Sequence, residues 1–430
     1  MNVEEEIASF VCNLSFDDLE ESVIHEVGRR ITDSFGVATA SIDSPPAAAF
    51  HHALDFYKGE AHLIGGGRAS ADAASFYNSL LIRYLDFNDT YLSREPLHPS
   101  DMIGTLLSVG SLFKSDAKSL FTAIAAGYEV GIRLCDSASP RKHGLDHVNF
   151  LQIGMAAALS KLLNLDEKQT INVISITTVP HIALRESRVG DLSMWKAGAA
   201  ANASRNATFA ALATLNGFTA PSTPISGKLG LRNVLLPELD VSKLHDIKKA
   251  DAILRTYVKK YPVEYHAQAA VDAALKIHSK LDGAAISRVE VETYEAGRSI
   301  LADLEKWAPA NRETADHSLP FIVAAALHTG RFWLDTYSLI GDAGVRELMS
   351  KVEVVERRDF TESYPGLLPT RIVVHAANGI HQEELSVPHG HYKNPMTDAE
   401  LDEKFLMLTK DRKLLEKMHL AEKTRVDQLV

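Results

Sequence analysis

Apolar residues recur at helical spacing from the start of the chain to about residue 265, and few segments there alternate with period two. One helix is expected from Asn149 to Leu163, stopping near Asn164. A second runs from Lys196 to Leu215 and ends at Asn216-Gly217, a good C-terminal stop. Its core of Ala, Gly, Asn and Ser is small on every side, which implies close helix contacts all round and a central position. After about residue 280 the pattern changes. Val289, Val291 and Thr293 alternate with charged neighbours, as do parts of Val352 to Arg357, the signature of half-buried strands. The runs Thr370–His375 and Ile380–Leu385 flank Ala376-Ala377-Asn378-Gly379, which predicts a hairpin with Asn378-Gly379 in a type I′ turn. A helical segment around Ile322–His328 lies among these strands, so this region reads as α+β. Beyond Asn394-Pro395 the chain is helical again from Asp398 through Leu429, and this last helix is expected to pack back on the first domain.

The chain has 430 residues, more than one core usually serves, so two domains are expected. Its formal charge of −11 argues against nucleic acid or an anionic membrane as the main partner. Two cysteines are too few for a disulfide framework, an iron–sulfur cluster or a cysteine-built zinc site. The N-terminus is acidic and no apolar run approaches 18 residues, so a soluble, unexported, cytoplasmic protein is expected.

The densest candidate chemistry is Leu85-Asp86-Phe87-Asn88-Asp89-Thr90, followed by His98-Pro99-Ser100. Two acids, a hydroxyl and an imidazole are packed there too closely for a second element to intervene. Pro99 disfavours helical geometry at His98, and Ser100 is a good N-cap for the apolar run that begins at Met102. His98 is therefore expected at a helix entrance, where backbone N–H groups favour a carboxylate. Gly144-Leu145-Asp146-His147 precedes the 149–163 helix, either as a turn with a capping acid or as a second acid and imidazole at a helix entrance. Lys196 follows Ser193-Met194-Trp195 among small residues that look buried, and a buried Lys needs an anion. Lys259-Lys260-Tyr261-Pro262 leads to Glu264, His266 and Gln268; at least one of these lysines reads as solvated charge. Gly65-Gly66-Gly67 lacks the Lys-Ser or Lys-Thr of a phosphate loop and reads as a turn.

Together these blocks resemble the MmgE/PrpD family, whose members include 2-methylcitrate dehydratase and cis-aconitate decarboxylase. The likeness rests on Leu85 to Ser100, Gly144 to His147 with its helix, Ser193 to Lys196, and Lys260-Tyr261-Pro262 with His266 and Gln268. It continues through Arg312 to Pro320, and Asn394-Pro395 with Leu401 and Lys404-Phe405. The resemblance implies a mainly α protein: an all-helical domain over 1–268, completed by a C-terminal helix over 396–430, and a smaller α+β lid domain over 269–395. It also implies a homodimer, no metal or organic cofactor, and a site between helical domain and lid. Carried over by position, the catalytic groups fall on His98, His147, Asp86 and Lys196. Those binding substrate fall on Thr90, Lys259, Glu264, His266, His317 and Phe321. Glu264 and Phe321 depart from the decarboxylase branch, which has His and Tyr there; the dehydratase branch tolerates Glu264 but commonly keeps the Tyr, so Phe321 departs from both and points to a relaxed or altered substrate.

The expected reaction is dehydration of a 2-hydroxy tricarboxylate such as 2-methylcitrate. His98 and His147 would divide the acid and base roles, Asp86 would orient an imidazole, and Lys196 and Lys259 would balance charge. The alternatives are a cis-aconitate-type decarboxylase, a dicarboxylate isomerase or epimerase, and a non-catalytic binding protein on the same fold.

Overall fold

The computed structural model describes residues 1–430, and the chain divides into two compact units. The first comprises residues 1–188, 194–257 and 397–430; the second comprises 189–193 and 258–396.

The first unit is a helical assembly built around Trp195–Leu215, which packs on Ala71–Tyr84, Val148–Leu162 and Glu167–Thr178. Small residues make this possible. Ser204 and Thr208 donate hydroxyl hydrogen bonds to Ser79 and Ser75 at 2.7 and 2.8 Å, so polar side chains close the contact without large volume. Ala117–Ser137 and Val148–Leu162 cross where Gly127 meets Gly154; a Cβ on Gly154 would lie 2.9 Å from the Gly127 carbonyl oxygen. Asp101–Phe113 approaches Ala71–Tyr84 through Gly104, where a Cβ would fall 2.6 Å from the Ser79 nitrogen. No helix is long and apolar enough to cross a membrane.

The expected single C-terminal helix is broken. Asp398–Thr409, capped by Thr397 and Glu400, stops at Lys410 in the left-handed region (φ 55°), and Asp411 caps a new helix, Arg412–His419. The local side-chain bond at Asp411 competes with helix continuation there. The returning segment does pack on Glu21–Ala40. Gly36 leaves room for the Phe405 ring, and the buried Lys404 ammonium meets Asp33 at 2.6 Å and donates to the Phe87 carbonyl at 2.9 Å.

The second unit holds a four-stranded sheet in the order Val352–Glu356, Ile286–Thr293, Thr370–Ala376, Gly379–Leu385. Its first pair is parallel and the other two antiparallel. Val289, Val291, Ile372 and Val374 are fully buried, in one apolar core with residues of Gln268–Leu281 and Leu319–Thr329, while Arg288 and Glu290 alternate outward. The hairpin turn sits one residue earlier than expected. Ala376 pairs with Gly379, so Ala377-Asn378 is the loop; only Gly379 takes positive φ, and the Asn378 amide donates to Lys280 and Leu281 carbonyls instead.

The break at 257/258 precedes the expected one at 268. Val263 and Ala267 are fully buried in the second core, and the Gln268 side chain bonds the backbone of Tyr261 and Val263. Residues 189–193 join this unit through Lys306, which donates to the Gly190 carbonyl, and through Asn311 and Thr314, which hold Leu192.

Candidate active site

The 71–84 helix is followed by Leu85 and by Asp86, which adopts the left-handed region (φ 50°) and turns the chain. Asp tolerates this conformation better than most residues because its short polar side chain bonds locally. The Asp86 carboxylate, completely buried, meets two cations within this unit: Arg83 Nη1 at 3.0 Å and Lys196 Nζ at 3.4 Å. Lys196, in the first turn of the 195–215 helix, is itself completely buried. The anion expected for this Lys is thus supplied, at least in part, by the protein.

The next residues are stitched together. Asn88 donates to Ser100 Oγ and to Asp101 Oδ1, at 2.8 and 2.9 Å. Asp89 accepts from the Ser100 N–H and the Tyr128 hydroxyl, and lies 3.3 Å from Arg30. Burial pushes both buried acids up: Asp89 against the opposing Arg30, and Asp101 to about 7 despite Arg83. Ser100 precedes the 101–113 helix as expected, but its side chain makes no capping bond; it accepts from Asn88. Thr90 is fixed by reciprocal backbone hydrogen bonds with Tyr257, and its hydroxyl lies 3.1 Å from His98 Nδ1.

His98 Nδ1 is also 2.9 Å from the Asp89 carbonyl oxygen. A carbonyl only accepts, so Nδ1 carries a proton, and in the neutral ring the lone pair is on Nε2. The same logic holds at His147, which precedes the 148–162 helix. Its Nδ1 is 2.9 Å from Asp146 Oδ1, and its buried Nε2 has no hydrogen-bond partner. The two rings stand edge to face with centroids 5.6 Å apart. Burial lowers the pKa of His147 and outweighs Asp146, which raises it. Burial alone would raise the Asp146 carboxyl, but Arg188 and His147 hold it well below the usual range.

The structure therefore brings Asp86, Thr90, His98, His147 and Lys196 into one polar network. Asp89 and Asp146, candidate acids in the sequence to which no site role was assigned, belong to it as well, and so do Arg188, Arg83 and Asp101, which the sequence did not mark. Within this unit Asp86 holds cations, and Asp146 is the carboxylate that meets an imidazole. Adjacency to His147 was the available signal for Asp146; for Arg83 it was the three-residue spacing to Asp86. Nothing local marks Arg188, which closes the short 3-10 turn Arg185–Arg188.

The remaining five expected residues lie in the second unit. Lys259 is completely buried. Glu264 accepts from the His266 N–H, capping a short turn, and lies 3.9 Å from its ring; His266 Nδ1 contacts the Tyr294 hydroxyl. His317 Nδ1 is 2.6 Å from Asp316. Phe321 is buried against Tyr337, rings nearly parallel, beside a cavity of about 480 Å³ lined by Trp307, Leu339, Val345 and Met349.

Family models match this sequence along most of its length: the MmgE/PrpD N-terminal domain over residues 5–243 and the MmgE/PrpD C-terminal domain over 261–428. The chain belongs to the MmgE/PrpD family. Among MmgE/PrpD relatives, the mitochondrial 2-methylcitrate dehydratase of Yarrowia lipolytica is 29% identical over 317 residues, 67% of this chain. The chain spans 59% of that relative's length. The 2-methylcitrate dehydratase of Escherichia coli is 27% identical, covering 74% of this chain and 71% of its own. An alkylcitrate dehydratase of Talaromyces stipitatus is 25% identical, covering 93% of this chain and 88% of its own. Both MmgE/PrpD domains match, and the helical unit followed by a small sheet agrees with the fold class expected from the sequence.

Proposed function

We propose that this chain is a hydro-lyase that dehydrates an alkylcitrate-type 2-hydroxy tricarboxylate, such as 2-methylcitrate, to the corresponding alkene. The observation that carries the reading is the pair of imidazoles, each held through Nδ1, set beside the buried Arg83–Asp86–Lys196 cluster. Loss of water from such a substrate requires removal of a proton from carbon and protonation of the departing hydroxyl. Two imidazoles suit both tasks near neutrality, because their ordinary pKa lies there. Charge that builds on the adjacent carboxylate is met by the Lys196 ammonium and by Arg188, whose buried Nη2 has no hydrogen-bond partner. The names of the relatives agree with this chemistry.

The test is incubation with citrate, 2-methylcitrate and cis-aconitate, following absorbance of the new double bond and identifying products by mass. An alkene plus water from 2-methylcitrate supports the reading; carbon dioxide from cis-aconitate with no dehydration points to the decarboxylase alternative and overturns it. His98→Ala is expected to lower kcat about 10²- to 10⁴-fold in a folded protein. Near-normal turnover by that variant would remove His98 from the mechanism. The homodimer implied by the family resemblance is checked by sedimentation.

A further inference from the structure

The two imidazoles differ in what lies behind them, and this divides their roles. We propose that Asp146 is a positioning residue that makes His147 the base taking the carbon-bound proton, with Arg188 locking Asp146 in place and His98 left as the acid. The inference rests on the dehydratase reading above.

Behind His98 is the neutral carbonyl of Asp89, at 2.9 Å; behind His147 is the carboxylate of Asp146, also at 2.9 Å. A base must become an imidazolium as the reaction proceeds. At His147 that charge forms against a fixed negative one, and at His98 against a dipole. An acid must release its proton, and a carboxylate behind the ring would hold it back. The carbonyl at His98 does so less.

Asp146 has little freedom to turn away. Its Oδ1 takes the His147 Nδ1–H and the Val148 N–H, and its Oδ2 takes the Ser187 hydroxyl at 2.8 Å and Arg188 Nε–H at 2.9 Å. Arg188 is anchored in turn, since its Nη1 donates to the Lys196 carbonyl at 2.8 Å. The charged and titratable groups facing His147 within this unit are Asp146, Arg188, Arg83 and the His98 ring. Burial is the strongest influence against protonation of His147, Asp146 favours protonation, and the two arginines add to the opposition. The ring therefore waits neutral, with its lone pair on the unpartnered Nε2.

In the step itself the substrate C–H bond breaks and its proton forms the His147 Nε2–H bond. The C–H electron pair becomes the second bond of the alkene. The C–O bond breaks with its pair on oxygen, and that oxygen takes the Nε2 proton of a protonated His98 and leaves as water. Exchange with solvent then returns His147 to neutral and His98 to its protonated form.

Asp146→Asn tests the assignment. The charge-assisted Arg188 Nε–H bond at 2.9 Å outranks the longer Val148 N–H bond at 3.3 Å on the other oxygen, and the Ser187 hydroxyl can rotate, so the amide would keep its oxygen toward Arg188, turn its NH₂ toward His147 Nδ1 and force the proton to Nε2, the wrong tautomer for a base. The expected result is a kcat lowered about 10²- to 10⁴-fold with KM changed only about threefold or less. In ¹⁵N-histidine-labelled protein without substrate, the His147 resonances should move from the Nδ1–H pattern to the Nε2–H pattern. A folded Asp146→Asn variant that keeps the wild-type kcat, or keeps the Nδ1–H tautomer, overturns the proposal. If the variant does not fold, the wild-type spectrum decides: an Nδ1–H form of His147 supports it and an Nε2–H form overturns it. Absence of dehydration by the wild type would instead defeat the underlying reading, and the two failures are distinguishable because the tautomer is read without substrate.

Discussion

Two separate costs can be measured at Asp86 by comparing Asp86→Asn with Asp86→Ala. The carboxylate is buried and is shared by Arg83 at 3.0 Å and Lys196 at 3.4 Å, both side chains 2% exposed or less. Removing one partner of a buried charge pair costs about 3–5 kcal/mol, because the charge left behind is out of water and loses its nearest counter-ion. Both variants incur that loss. The second cost belongs to the backbone: at φ 50° Asn is tolerated much as Asp is, whereas Ala adds about 1–2 kcal/mol. For a helical unit of roughly 290 residues the unfolding entropy is about 0.6 kcal/mol/K, so Asn should lower Tm by about 5–8 °C and Ala by about 2–3 °C more. Scanning calorimetry at pH 7 reads both values. The shift should change little between 0.1 and 1 M salt, roughly, because buried pairs are screened far less than exposed ones. A Tm lowered by less than about 1 °C in Asp86→Asn would refute charge compensation, and equal values for the two variants would refute the backbone term.

Three further outcomes follow from the same network and its supports. Lys196→Met should raise KM and lower kcat together, since the ammonium is assigned to substrate charge; unchanged steady-state kinetics would remove it from the site. Burial raises Glu95 to about 7, so the folded state binds more protons than the unfolded one between its ordinary value and 7, and this contribution to stability is lost as pH rises through that window. Glu95→Gln lacks the titration, so its stability relative to wild type should improve by about 2–3 kcal/mol between about pH 5 and 8 in urea unfolding, and parallel profiles would contradict this. Gly154→Ala places a methyl group 2.9 Å from the Gly127 carbonyl oxygen and should destabilise by about 1–3 kcal/mol, measured as a fall in Tm; no fall would mean the helix pair relaxes freely.

What could be read from the sequence depended on how local the determining physics is. The 148–162 and 195–215 helices and the 286–293 strand were visible because burial imposes a period on their side chains. The hairpin was visible too, but not its turn, because Asn378 bonds carbonyls about 100 residues away and gives up the left-handed position that an Asn-Gly pair suggests. Ser100 stands where a cap belongs, yet its hydroxyl is taken by Asn88. In the site, His98, His147 and Lys196 stood out by residue type and setting. Asp86 and Asp146 stood out as acids, but which cation or imidazole each would meet did not, and the guanidiniums of Arg83 and Arg188 were not marked at all, because such pairings come only through contacts that folding supplies. Arg188 is the extreme case, joining Asp146 and Lys196 from a segment without period.

The division of the helical unit into residues 1–188, 194–257 and 397–430 has a consequence for how the chain is made. On a ribosome the sheet-bearing insert is delivered whole by residue 396, while its host still lacks Phe405, the ring that fills the space over Gly36, and Lys404, the cation that meets Asp33 and the Phe87 carbonyl. The insert can thus finish its core during synthesis, whereas the stretch that carries Asp86 stays unbuttressed until the final segment emerges. Released chains truncated after residue 396 should protect the insert from protease and leave the 85–90 region open to cleavage.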